Sequence, residues 1–556
     1  MNKIAAYSFS AMAALWLLTA GRPAVSENKM STQPAACVLN PDDFKHYVDD
    51  FNAADVAGQS TSSSIPDAKA WDFLRTNIPW FECPDKQFEQ TYYFRWWTYR
   101  KHLKLTPTGW IVTEFLPDVP WAGKYNSISC AAGHHLYEGR WLRDRRYMED
   151  YAGFWFQEGA SPRNYSFWAA DSVHAVTMVT GDERLSRELL PALIANYQEW
   201  EKTNQDSTGL FRQVDDRDGM EYSLGGSGYR PTINAYMYGD AVAIASMAAS
   251  AGMTSTAAEY REKAARIKWL VQTYLWNPSD HFFETAPETS DLSKLKTCGV
   301  REEIGFVPWY FNLPDAGYES AWRQLDDPQG FRAPYGPTTA ERRAAGFMHP
   351  ENHDCLWNGP SWPYATTQVL VAMANLLDNY PPGVVTKSDY LRLIETYARS
   401  QQKDGHPWIA EDLDADSGKW IVDLPRSVYY NHSGFVDPVI TGLVGLRPRD
   451  DDRIELKPLV PAETWPWFCL DGICYHDHEL TILWDSTGDR YKKGSGLTLF
   501  VDGKRVAHRP DLGDLSALLK LVARPDLTIR RTGRDAHPTI RCNPGIIAYL
   551  PNTPKL

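Results

Sequence analysis

The chain has 556 residues, with 57 Lys and Arg against 70 Asp and Glu and a net charge of −13. That balance disfavours nucleic acid and anionic membranes as partners, because both are bound through basic patches. The length suits either two folding units or one large helical barrel. Aromatic residues are abundant, at 22 Trp, 29 Tyr and 21 Phe. A core absorbs many of these, and Trp beside polar groups is also how proteins build platforms for sugar rings.

Lys3, a mostly apolar run from Ile4 to Thr19 and the small residues Ala24, Val25 and Ser26 read as a secretory signal over 1–26. The run is too short for a convincing membrane span. A secreted or periplasmic protein is expected, with no membrane attachment after cleavage. The eight cysteines show no zinc-type spacing. In an oxidising compartment Cys469 with Cys474, and Cys37 with Cys83, are the pairs to consider. Asn164 and Asn431 open glycosylation sequons.

Residues 27–70 are polar and read as a flexible lead-in with one short helix. From Trp71 aromatics recur at helical spacing, with Phe88, Tyr92, Arg95, Trp96 and Tyr99 along one side of a buried helix. Gly109 to Ser129 is rich in Pro and Gly and reads as a loop or short strands. Helices follow at 131–148, 165–180, 183–203, 232–252, 256–276, 316–325, 361–379 and 387–402. Gly181 and Asp182 open a turn, Gly252 is a helix stop, and Thr254 or Ser255 is a cap.

Asn277–Pro314 and Asp327–Pro360 are long connections, of the kind that carry function in a regular helical array. Paired helices with long loops on one side predict a mainly α fold over 71–446, an (α/α)6 toroid of helical hairpins with its loops gathered at one mouth. After Arg447 the pattern alternates apolar and polar residues between turns. This predicts a small β-sandwich-like domain over 447–556.

Four loops carry the candidate chemistry. In the first, Asp215, Asp216, Asp218 and Glu221 crowd into seven residues before Arg230 and a helix. The second, Glu351–Pro363, holds Trp357, Asn358 and Trp362 around a Gly-Pro turn. The third, Gly405–Trp420, holds Trp408 and Glu411. The fourth, Tyr429–Asp437, holds Asn431, His432 and Ser433. Each sets carboxylates or hydrogen-bonding groups beside aromatics. Glycoside hydrolysis needs two carboxyl groups flanking one bond, one to protonate the leaving oxygen and one to activate water or attack. The chain contains no nucleophile elbow, phosphate loop or dinucleotide fingerprint.

Three of these loops resemble the six-hairpin glycosidases of the trehalase, family 63 α-glucosidase and mannosylglycerate-hydrolase-like group, over roughly 130–446. GMEYS at 219–223 is similar to the segment bearing that group's general acid, which implies Glu221 in the role. LWNGPSWP at 356–363 is similar to the loop lining the sugar site. EDLDADSGKW at 411–420 is similar to the stretch bearing the base, which implies Glu411. The chain departs from the group in having Glu for Asp at the acid, Asn358 for Arg, and Asp416-Ser417 in the base loop.

The resemblance implies a glycoside hydrolase that inverts, acting on oligo- or polysaccharide from an end, with the acid buried beside aromatics and the base more polar and ionised. Asp218 is the alternative acid or a ligand of substrate hydroxyls. Arg230 orients a carboxylate or is structural. Trp357, Trp362, Trp408, Asn358 and His432 are the remaining candidate sugar contacts. Asp171 with His174, and His476 with His478, read as pairs outside the site. No metal or cofactor is implied, and the oligomeric state is not readable. Two rival readings remain: a polysaccharide lyase using Tyr429, Tyr430, Asn431 and His432, and a non-catalytic carbohydrate-binding protein.

Overall fold

The computed structural model describes residues 38–56 and 64–519, and the backbone of two short strands, Thr539–Cys542 and Ile546–Tyr549. The signal-like segment and Cys37 lie outside the described residues. The helices are α1 Lys45–Ala53, α2 Ala70–Asn77, α3 Lys86–His102, α4 Ala132–Gly139, α5 Arg146–Phe154, α6 Ala169–Thr180 and α7 Arg184–Asn204. They continue with α8 Pro231–Ser250, α9 Thr254–Tyr274, α10 Val307–Tyr310, α11 Pro363–Asn379, α12 Lys387–Ser400 and α13 Val436–Pro438.

Their contacts close a ring. α4 meets α6, α6 meets α8, α8 meets α10, α10 meets α11, α11 meets α13, and α13 returns to α4. Each inner helix has an outer companion or cover: α5 lies on α4, α7 on α6, α9 on α8 and α12 on α11, while α3 joins α12 to α13. Composition matches position. Inner α8 is Ala-, Met- and Tyr-rich and buried on nearly every side. Outer α9 buries Ala257, Tyr260, Ala264, Ile267 and Val271, a single stripe at helical spacing.

Several local expectations change. The stretch expected as one helix over 131–148 is two, α4 and α5. A Cβ at Gly139 would lie 2.3 Å from both Met148 Sδ and Tyr99 Oη, and the chain then turns so that Arg140 and Trp141 reach Asp437. The connection 277–314 hides α10, whose four residues are too few to show a period. Residues 319–325 are a 3-10 helix. Thr254 is the first residue of α9 and makes no side-chain cap. The described part of the lead-in is not a loose tether: Tyr47 and Phe51 of α1 pack on Tyr93, Phe94 and Trp97 of α3. With α1 and α2 outside it, α3 is buried all round, beyond the single side its aromatics mark.

The C-terminal part contains a five-stranded antiparallel sheet in the order Trp80–Glu82, Trp467–Tyr475, His478–Asp485, Gly496–Val501, Lys504–Arg509. Its first strand therefore comes from far upstream, so the sheet crosses the boundary expected at 447. A three-stranded sheet, Leu515–Leu518, Arg453–Leu456 and Leu446–Arg447, lies alongside. Cys469 and Cys474 share the strand Trp467–Tyr475. Five residues of extended chain span about 16 Å at ~3.3 Å per residue, too far for a disulfide's Cα separation of about 4.4–6.8 Å, so the two do not close a loop.

Candidate active site

The acidic loop is built on a buried ion pair. Asp215–Asp218 form a 3-10 turn closed by Gly219 at φ +71°, where a Cβ would also lie 2.6 Å from Cys130 Sγ. Asp218 turns inward and accepts from Arg230 Nε at 2.6 Å, both side chains being fully buried, and from the Thr232 hydroxyl. Arg230 also donates to Ser223 Oγ at 2.8 Å and to the Gly226 carbonyl. It stands immediately before Pro231, which opens α8. Arg230 thus orients a carboxylate, and the pair fixes the turn that carries Glu221 three residues further on.

Glu221 points the other way. Its carbonyl accepts from Trp357 N at 3.0 Å, and its Oε2 accepts from the Cys355 thiol at 2.8 Å. Burial raises the Glu221 pKa above the usual carboxylate value, and the thiol hydrogen bond opposes that rise.

The second carboxyl sits on a pinned loop. Glu411 N donates to Val422 O, and Leu413 bridges Ser361 and Trp420. The turn at its tip is made by Ser417 N and Oγ, both 2.7 Å from Asp414 Oδ1, while Asp416 turns out to Arg342. The departure at Asp416-Ser417 is therefore a rebuilt turn rather than a change at the carboxyl. Glu411 is 4% exposed. Its Oε1 accepts from Ser427 Oγ at 2.6 Å and Arg426 Nε at 3.1 Å. Burial raises its pKa, while Ser427 and the Arg426 cation draw it down. Asp412 turns away; its Oδ1 accepts from Val422 N, and it lines a cavity of about 290 Å³ together with Asp354 and Asn358.

A third carboxyl, missed in the sequence, joins them. Glu114 is buried, accepts from the Tyr430 hydroxyl, and leaves Oε2 without a partner. Its pKa is pushed up to about 8 by burial, with Glu411 and Glu221 adding to the rise. Tyr430, its partner, stands three residues past Ser427, which holds Glu411, and the adjacent pair Asp354-Cys355 reaches Arg426 and Glu221, so hydrogen-bonded neighbours link the loops of the three carboxyls. Tyr430 in turn lies between Phe115, at 4.6 Å, and His432, at 4.0 Å. The flanking Phe115 and Trp121 were the available signal for Glu114. Arg426, Ser427 and Cys355 were also missed; none is distinctive as a residue type.

The remaining candidates divide. His432 is at the site, buried, with the Glu411 backbone beside it and its ring edge-on to Trp362. Burial pushes its pKa well down, so it is a neutral imidazole. Trp357 and Trp362 stack on each other at 4.7 Å and are 3% and 2% exposed. Each indole covers the other, and the pair is buried beside His432. Asn358 Nδ2 donates to His349 O at 2.7 Å and ties down its own loop. Trp408 packs on Tyr429 and under Lys403, and donates to Asp423 at 3.1 Å, with none of the three carboxyls among its recorded partners. Asp171 takes the Tyr137 hydroxyl and His174 takes Asp450. His476 bonds the Met178 carbonyl and His478 bonds Asp502. Among the described residues, no group of three or more His, Cys, Asp or Glu is arranged to hold a metal ion.

A ring of helical hairpins with carboxyl-bearing loops gathered around one space defines the class of six-hairpin glycoside hydrolases. Residues 124–433 match the mannosylglycerate hydrolase MGH1-like glycoside hydrolase domain, and the chain belongs to that family. Residues 446–508 match the C-terminal domain of glycosyl hydrolase family 65. A solved structure named as a sialidase is 46% identical, with a TM-score of 0.83 over 86% of this chain and 45% of its own. The chain thus spans less than half the length of that relative. α-L-rhamnosidases from Dictyoglumus thermophilum and Aspergillus terreus are 12% and 13% identical, each with a TM-score of 0.50. They are matched over 76% and 79% of this chain and 44% and 49% of theirs, a likeness of fold.

Proposed function

We propose that the protein hydrolyses a glycosidic bond with Glu221 as general acid and Glu411 as general base. The observation that carries this is the adjacent pair Asp354-Cys355: the Cys355 thiol is bonded to Glu221, and Asp354 shares Arg426 with Glu411, so one short segment links the two carboxyls. Burial favours the protonated form of Glu221, against the opposing pull of the Cys355 thiol. That proton passes to the leaving oxygen as the bond to the sugar carbon breaks. Glu411 has a cation and a hydroxyl on Oε1, which favour the ionised form that accepts a proton from attacking water. Asp218 is committed to Arg230 and Thr232, which argues against it as the acid.

Inversion is the course proposed, with water entering from the Glu411 side. Glu114 and His432 supply groups for sugar hydroxyls. Glu411 is the anion of the proposed site, and the Arg426 guanidinium is already taken by Glu411 and Asp354. A neutral sugar is therefore the proposed substrate. Action at a chain end is proposed with it, from the resemblance of the three loops. Export is also proposed, from the composition of residues 3–26. Among the described residues no helix is long and apolar enough to cross a membrane.

The test is a panel of glycans and aryl glycosides, with the released sugar and its first-formed anomer followed by NMR. A neutral monosaccharide of inverted configuration supports the proposal. An unsaturated product would replace it with lyase chemistry. Binding to a glycan array without turnover would replace it with a binding function.

A further inference from the structure

The second candidate loop does more than line the site: two adjacent residues in it reach the two proposed catalytic carboxyls. Cys355 Sγ donates to Glu221 Oε2 at 2.8 Å. Asp354 accepts at 3.1 Å from Arg426 Nη2, whose Nε lies 3.1 Å from Glu411 Oε1. The turn between them is held locally. Cys355 N donates to His353 Nδ1 at 3.0 Å, and Tyr222, next to the acid, packs on the His353 ring. Trp357 N, two residues on, holds the Glu221 carbonyl at 3.0 Å.

We propose that Cys355 is a positioning residue for the acid: its thiol holds Oε2, leaves the proton on Oε1, and stabilises the carboxylate that forms as Glu221 gives that proton up. Burial alone makes Glu221 a reluctant donor. A hydrogen bond that strengthens as charge develops on the carboxyl acts on the transition state more than on the ground state. The other titratable groups in the electrostatic environment of Glu221 are Asp216, His353, Glu114, Cys130 and Tyr165. None of these has a recorded hydrogen bond to its carboxyl oxygens, so the thiol is a local control on this group. The role as acid rests on the hydrolase reading above; the hydrogen bond does not.

The test titrates the Glu221 carboxyl by carbon-13 NMR in glutamate-labelled protein, with the resonance assigned by its loss in Glu221→Gln. Cys355→Ala and Cys355→Val remove the donor, the second with little change in volume, and Cys355→Ser keeps it. The midpoint is expected to move to higher pH in the Ala and Val variants and to return toward the wild-type value in Ser, with unchanged melting temperature. An unmoved midpoint in a folded Ala or Val variant overturns the proposal, as does a Ser variant that tracks Ala. The readout needs no substrate. A shifted titration beside an inactive glycan panel would therefore retire the hydrolase reading and leave the hydrogen bond standing, and the converse would retire only the role of Cys355.

Discussion

The two sides of the site are built on opposite principles. The Glu221 side stands on a fully buried ion pair, Asp218 with Arg230, and presents Glu221 to a neutral thiol. The Glu411 side is tied by backbone bridges, and its cation, Arg426, is partly exposed and shared with Asp354 at the surface. A buried pair fixes geometry but leaves no spare charge to stabilise an ionised neighbour, whereas a shared, partly exposed cation biases its neighbour toward the anion. The proposed division of labour uses that difference, with the acid on the side without a cation and the base beside one.

The strongest way to break this contrast is to remove the carboxyls. Glu221→Gln and Glu411→Gln are each expected to lose about 10²–10⁴-fold in kcat with an unchanged melting temperature. Next is the brace. Arg230→Ala strands a buried carboxylate and is expected to cost about 3–5 kcal/mol in a denaturant titration. Arg426→Ala, at a partly exposed position, should cost far less stability. Its mark should be kinetic: with the cation gone, Glu411 protonates at higher pH and the acid limb of the rate profile moves up.

A pH-dependent effect concerns Glu114. Its folded pKa of about 8 lies above the ordinary 4.5. Its contribution to stability is therefore complete below 4.5 and is lost as pH rises toward about 8. Glu114→Gln should melt like the wild type in acid and above it near pH 8. A gap that closed as pH rose would contradict that burial.

Most of the ring was readable because long helices declare a period, and α7, α8, α9, α11 and α12 begin within two residues of where the sequence puts them. The four-residue α10 and the strand Trp80–Glu82 were not, because neither is long enough to show a pattern and both are defined by distant partners. In the site, Glu221 and Glu411 stood out because acidic residues crowd into glycine-containing turns. Glu114 did not, because its contact with Tyr430 spans 316 residues. The indoles of Trp357 and Trp362 were visible as residues, but their mutual stacking is a matter of packing.

The division of labour between Glu221 and Glu411 is tested most directly by leaving-group dependence. A dinitrophenyl glycoside of the sugar identified in the panel needs no proton to depart, while the unactivated glycoside does. Glu221→Gln should hydrolyse the activated substrate at near wild-type rate and fail on the unactivated one, and Glu411→Gln should fail on both. If Glu411→Gln instead retains the activated substrate, or both variants lose the two substrates equally, the assignment of acid and base is wrong.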